Sequence, residues 1–238
     1  MRRAREAVLG RIADAAARVG REPAEVTLVA VSKTVPAARV RAAVAAGLTV
    51  LGENRVQEGT AKAAEVSGAR WHLLGPLQAN KARRALEVFD VLEAVGSLDL
   101  ARRLDRVAGE LRPGRPVPVL LQVNVAGDPA KSGFDEAAVE AALAELAGLP
   151  NLRLGGLMTI GRLVATAEEA RPTFRALRAL SSRLRAREPG LGTALSMGMS
   201  DDYEVAVEEG ATIVRVGRAL FGERPPAATA PAPAPDAA

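Results

Sequence analysis

Apolar and polar positions along this chain switch repeatedly between two periods. Residues 2–19 carry Leu9, Ile12, Ala16 and Val19 at helical spacing, and Gly20 follows as a stop. Short apolar runs then alternate with helical patterns. The runs, read as strands, cover 26–32, 49–52, 70–75, 91–95, 117–124, 153–159, 194–197 and 212–216. The patterns between them predict helices over 36–46, 54–66, 78–87, 97–110, 135–147, 167–187 and 201–209. Punctuation agrees: Pro36 suits a first helical turn, and Gly47 suits the stop of the same helix. Ser97 is placed to cap its helix, and Thr166 with Glu169 and Asp201 with Glu204 fit capping boxes. Pro172 falls inside the 167–187 pattern, so that helix either starts near Arg171 or is kinked.

Strict alternation of strand and helix implies a parallel sheet with right-handed crossovers. Eight such units, each of about 28 residues, predict closure into a single (β/α)8 TIM barrel, an α/β fold. An open doubly wound sheet is the competitor. Its phosphate fingerprint, Gly-x-Gly-x-x-Gly after the first strand, is missing. The barrel with its N-terminal helix is expected to occupy residues 1–223, and the Pro/Ala-rich stretch 224–238 reads as a disordered tail.

Composition narrows the chemistry. The 238 residues contain no cysteine and one histidine, His72, which excludes disulfides, thiolate nucleophiles and histidine-rich metal sites. The net charge is only +4, and acids alternate with arginines along the helices. Aromatic residues, at 3%, are too few for base stacking, so no nucleic-acid partner is expected. No apolar run approaches the roughly 18 residues of a membrane span, and no apolar leader follows the basic N-terminus. A cytoplasmic protein is expected. Lysine is rare: Lys33, Lys62, Lys81 and Lys131 stand against a background that uses arginine for surface charge.

Three strand ends carry candidate chemistry, all at the face where such barrels place their sites. Lys33 directly follows the first apolar strand. An amine delivered to the barrel mouth loses hydration, which favours the neutral form that attacks an aldehyde. The bland alternative is a lysine that snorkels to solvent. Ser196, Gly198 and Ser200 belong to a turn of small residues before a helix start, where backbone N–H groups can approach an anion. Glycine there could also serve only the turn. In the last strand Arg215 and Gly217 share a face. Gly217 can offer its N–H to a phosphate, while Arg215 either faces the ligand or pairs with a carboxylate on a neighbouring strand. Closure sets the last strand beside the first, so an amine lies near an anion cradle. A pyridoxal 5′-phosphate (PLP) site needs this combination, as does a sugar-phosphate Schiff-base aldolase. The aldolase also needs a nearby proton shuttle, and none is obvious.

Six ordered motifs carry a resemblance over residues 5–223: Ala-Val-Ser-Lys-Thr (30–34), Gly-Glu-Asn-Arg-Val-Gln-Glu (52–58), Trp-His-Leu-Leu-Gly-Pro-Leu-Gln-Ala-Asn-Lys (71–81), Gly-Leu-Met-Thr-Ile (156–160), Leu-Ser-Met-Gly-Met-Ser-Asp-Asp (195–202) and Val-Arg-Val-Gly-Arg-Ala-Leu-Phe-Gly (214–222). The chain resembles the YggS/PROSC family of PLP homeostasis proteins. That resemblance implies an alanine-racemase-like barrel of fold type III with PLP on Lys33, and a carrier or regulator without established turnover. It implies that Ser196, Gly198 and Gly217 hold the phosphate, that Asn54, His72 and Met158 surround the ring, and that Arg215 neighbours the pyridine nitrogen. No metal and no catalytic residue are expected. Lys131, in the stretch 128–133, matches a family lysine that is either a secondary PLP contact or a solvated loop residue. Two positions depart from the family: Val35 replaces a second lysine found in many relatives, and Arg55 replaces the usual aromatic.

The alternative is a PLP-dependent amino-acid racemase. Such enzymes add a β-rich C-terminal domain that supplies a tyrosine, whereas the one tyrosine here, Tyr203, is predicted at a helix start. A monomer is therefore expected. Apo PLP-dependent enzymes are the expected protein partners.

Overall fold

All eight strands form, and each pairs in parallel with the next in chain order until the last closes on the first. The computed structural model describes residues 1–162 and 164–223. The strands are β1 (Thr27–Val31), β2 (Val50–Glu53), β3 (Arg70–Leu73), β4 (Val91–Val95), β5 (Val117–Gln122), β6 (Leu152–Met158), β7 (Ala194–Ser196) and β8 (Ile213–Val216). The helices are α1 (Arg2–Arg18), α2 (Ala37–Ala45), α3 (Val56–Glu65), α4 (Ala82–Val88), α5 (Leu98–Leu111), α6 (Glu136–Ala147), α7 (Arg171–Arg187), α8 (Tyr203–Glu208) and α9 (Arg218–Phe221). The expected closed barrel, rather than an open sheet, is what this chain forms. The stretch 224–238 lies outside the described residues.

Strands buried on both faces, such as β4, leave no alternation to read, so register decides which side chains face inward. A Cβ built on Gly52 would meet Leu74 and Val29, which sets these three positions together inside the barrel. The opposite faces of the strands join the helices in one large apolar layer that includes Leu51, Leu73, Phe89, Leu104 and Phe174. Each such side chain contributes about 1.5–3 kcal/mol on full burial. In the β1–β8 pairing Val29 lies opposite Arg215. Two residues further along, the Cβ position of Gly217 lies 3.4 Å from the Val31 carbonyl oxygen. The exit of β1 and the exit of β8 are thus in contact.

Side-chain caps form at α5 and α6. The Ser97 hydroxyl accepts from the Leu100 N–H at 3.3 Å, and Asp135 accepts from Ala138 at 2.7 Å. Pro172 causes no kink: a 3-10 turn over Ala167–Ala170 precedes it, and the proline occupies the first turn of α7, where its missing N–H costs nothing. The Thr166 hydroxyl donates to Glu169 at 2.9 Å instead of accepting from the backbone. The capping box expected at Asp201 and Glu204 does not form. Asp202 is the cap position of α8, Asp201 pairs with Arg218, and Glu204 faces Arg11 and Arg18 of α1. The helix expected over 78–87 forms as a 3-10 turn at Ala79–Lys81 running into α4, while helix α9 and the 3-10 turn at Pro23–Glu25 have no counterpart in the periodicity. Those two are too short for a helical pattern to register.

Candidate cofactor site

At the carboxyl ends of β1 and β8 the barrel opens into a cleft of about 370 Å3, within the size range of small-molecule sites. Lys33, Asn54, Ser200, Arg215, Gly217 and Arg218 line it. A hollow of about 230 Å3 adjoins it and shares Val31, Lys33, Gly217 and Arg218. Lys33 stands two residues beyond β1 and is half-buried. The next residue, Thr34, has a φ of 66°. A β-branched residue in that region costs about 1–3 kcal/mol and persists only where its surroundings impose it.

Gly217 and Ser200 line the same cleft as Lys33. The Gly217 N–H donates to the Ser200 hydroxyl at 3.2 Å, so both groups face the same space. Gly198 makes the turn that brings Ser200 there. Its φ is 89°, and a Cβ would come within 2.5 Å of the Ala206 Cβ, so only glycine fits. Its carbonyl accepts from the Arg215 N–H at 3.0 Å, which ties the turn to β8.

Below the cleft a polar network crosses the barrel interior. His72 on β3 shares a 2.5 Å hydrogen bond through Nδ1 with Glu93 Oε1 on β4. The Ser196 hydroxyl, on β7, donates to Glu93 Oε2 at 2.5 Å and accepts from Arg215 Nη1 at 2.7 Å. Arg215 Nη2 donates to the Thr159 carbonyl at 2.8 Å. Strands β4 and β7 are not neighbours, so the Glu93–Ser196 bond spans the lumen. Burial would push the Glu93 carboxyl up. The His72 hydrogen bond and charge, then Arg215 and Ser196, more than offset this and hold it below the usual carboxylate range. Burial pushes the Arg215 guanidinium down, against the attraction of Glu93 and Asp202. Arginine starts so high that it stays charged. The result is a fixed cation on the cleft wall.

The expected site residues therefore divide. Lys33, Asn54, Arg215 and Gly217 line the cleft, and Gly198 shapes it. His72, Met158 and Ser196 are buried. Met158 lies in register with Ser196, inside the barrel. Ser196 differs most from expectation. Its hydroxyl is committed to Glu93 and Arg215, and Ser200 stands at the mouth in its place. Lys131 does not line the cleft itself but a neighbouring hollow that shares Ile160, Met199 and Asp201 with it. The sequence reading also missed Glu93. Its signal was a carboxylate in the otherwise apolar strand Val-Leu-Glu-Ala-Val.

Residues 6–225 match the model of the alanine racemase N-terminal domain. The PLP homeostasis protein of Pseudomonas aeruginosa is 48% identical over 221 residues, 91% of this chain and 93% of that protein. That of Escherichia coli K12 is 41% identical over 224 residues, 91% of this chain and 94% of its own length. The chain belongs to the PLP homeostasis protein family. Among solved structures, PipY of Synechococcus elongatus PCC7942, with PLP bound, superposes with a TM-score of 0.78 at 46% identity, covering 89% of this chain and 100% of PipY. The PLP-free form of PipY gives 0.80 at 48% identity with the same coverage. Alanine racemase of Clostridium difficile 630 shares 17% identity at a TM-score of 0.68, over 91% of this chain and 60% of the racemase, which shows a common barrel fold.

The donor set suits PLP. A phosphate needs backbone N–H and hydroxyl donors on a close-approach surface, as at Gly217 and Ser200. An aldehyde needs an amine in the same cleft, as at Lys33.

Proposed function

We propose that this chain binds PLP through Lys33 and serves PLP homeostasis as an intracellular carrier and regulator. One observation carries the reading: Lys33 and the Gly217–Ser200 donors line a single cleft where β8 closes on β1. PLP, when bound, supplies an aldehyde that condenses with an amine and a ring that can withdraw electrons from it. The chain's own groups do the rest. Lys33 offers the amine. The Gly217 N–H and the Ser200 hydroxyl hold the phosphate, and Gly198 keeps the turn close enough to do so. Asn54 borders the ring. His72, Met158 and Ser196 act from beneath, through the network that fixes Arg215.

Arg215 is the proposed neighbour of the pyridine nitrogen. A buried cation beside that atom opposes protonation of the ring, which weakens electron withdrawal. A protein that holds PLP tolerates this, whereas an enzyme that needs a stabilised carbanion does not. The lone tyrosine is buried beside Arg11 of α1 and does not line the cleft. We therefore favour the carrier over an amino-acid racemase. Residues 1–223 form the proposed working unit, a monomer in the cytoplasm, with apo PLP-dependent enzymes as clients. Among the described residues no helix is long and apolar enough to cross a membrane.

The test is transfer. PLP-loaded protein, mixed with an apo PLP enzyme, should reactivate it faster than free PLP at the same total concentration. Equal or slower reactivation contradicts delivery. Incubation with alanine, read by chiral separation, should show no racemisation at ordinary enzyme rates of about 1–1,000 per second.

A further inference from the structure

A second lysine lies directly behind the turn that carries Lys33. Lys62, on α3, is only 7% exposed. Its three protons all have acceptors: the Ser32 carbonyl at 2.5 Å, Glu53 Oε1 at 2.7 Å and Glu58 Oε1 at 2.7 Å. The same two carboxylates hold the turn. The Ser32 hydroxyl donates to Glu53 Oε1 at 2.6 Å, and the Thr34 N–H donates to Glu58 Oε1 at 2.6 Å. The Ser32 carbonyl also accepts from the Val35 N–H at 2.9 Å. Residues 32, 34 and 35 are thereby fastened on both sides of Lys33, and Thr34 is held at its positive φ.

We propose that Lys62, together with Glu58, is a positioning residue for Lys33, clamping the Ser32–Thr34 turn to α3 so that the Lys33 side chain is presented to the cleft. The inference rests on Lys33 being the attachment point for PLP. Three observations favour a positioning role over simple packing. Charged groups are rarely buried without need, because desolvation is costly and an apolar pair would fill the space at least as well. The bonds run to the backbone of the turn, not only between side chains. The turn they hold is strained, and a strained turn relaxes unless it is over-determined. With every proton bound, the Lys62 amine is itself withheld from aldehydes, so capture falls to Lys33.

Three variants and two readouts test this. The first readout is amide hydrogen exchange at residues 32–35 in the PLP-free protein, which does not depend on PLP binding. The second is PLP affinity by visible absorbance. Glu58→Ala removes the Thr34 acceptor at a part-exposed position and should fold. It is expected to speed exchange at Thr34 and Val35 and to weaken PLP binding about tenfold, the effect of losing one charge-assisted hydrogen bond. Glu58→Gln keeps an oxygen acceptor for Thr34 and should stay within about threefold of the wild-type affinity, since only the charge assistance is lost. Lys62→Met should match or exceed Glu58→Ala. If Lys62→Met does not fold, with Glu53 left buried and unpaired, the Glu58 pair decides. Unchanged exchange at 32–35 in Glu58→Ala overturns the proposal, as does a Glu58→Gln protein that binds PLP as weakly as Glu58→Ala. A wild-type protein that takes up no PLP refutes the reading of Lys33 instead, and the exchange data still judge the clamp.

Discussion

Arg215 and Glu93 illustrate how one buried pair governs a site that neither closes alone. Each would be costly inside the barrel by itself, and Ser196 bridges them with two hydrogen bonds. The pH dependence of stability follows with a definite sign. The Glu93 carboxyl is held below its usual range, so its contribution is present above the unfolded-state value of about 4.3 and is lost as pH falls through the lower folded-state value. Glu53 runs the other way. Burial pushes it up, so its contribution is present below about 4.3 and is lost as pH rises through the folded-state value. Wild-type acid unfolding therefore mixes opposing slopes, and a variant isolates one. Glu93→Gln should cost about 3–5 kcal/mol at pH 7, as when one partner of a buried pair is removed. Urea unfolding at a series of pH values should show that deficit shrinking below about pH 4, where Glu93 of the unfolded wild-type chain takes up its proton while the folded one is still charged. A deficit that stays constant with pH would mean that its charge does not matter. At this scale the sequence was legible at the strand exits, which put Lys33, Arg215 and Gly217 in one cleft. It did not tell Ser196 from Ser200 within their small-residue turn, because parity ends with β7. The backbone at Gly198, with its φ of 89°, turns the chain so that the later serine reaches the mouth. The lumen-crossing bond was illegible because its partners lie 103 residues apart.

Elements were legible almost throughout, since apolar runs and helical patterns alternate eight times and glycines such as Gly20 and Gly47 mark stops. What periodicity does not report is how closely two layers approach. Helix α3 shows this at Gly59, where a Cβ would come within 2.4 Å of the Phe89 ring, itself fully buried. Helix propensity alone says that Gly59→Ala should stabilise by about 1 kcal/mol. Overpacking a rigid, enclosed ring costs about 1–3 kcal/mol and should win. Thermal unfolding of Gly59→Ala should show a lower midpoint, whereas a higher one would mean that α3 can shift outward. That shift would matter for the site, because α3 carries both Glu58 and Lys62. The Lys62 clamp was half visible in the sequence. The scarcity of lysine marked the residue and Glu58 stood four positions before it, but nothing in one helix indicated that the pair grips the β1 turn.

For the molecule as a whole, closure of the barrel is the decisive event. It brings the first strand's lysine to the last strand's glycine, and neither helix packing nor any single motif would do so. The alternation of eight strands and helices made closure readable, and the two strand exits then follow from topology. The cleft is open at the barrel mouth, which suits a protein that takes up and releases its ligand. The most direct test of this scheme is chemical. PLP-loaded protein is reduced with borohydride, digested and mapped by mass spectrometry, alongside Lys33→Ala. A pyridoxyl group on Lys33 alone, with loss of both the visible band and the adduct in the variant, is the predicted result. An adduct on Lys131, Lys81 or Lys62 that persists in Lys33→Ala would contradict it.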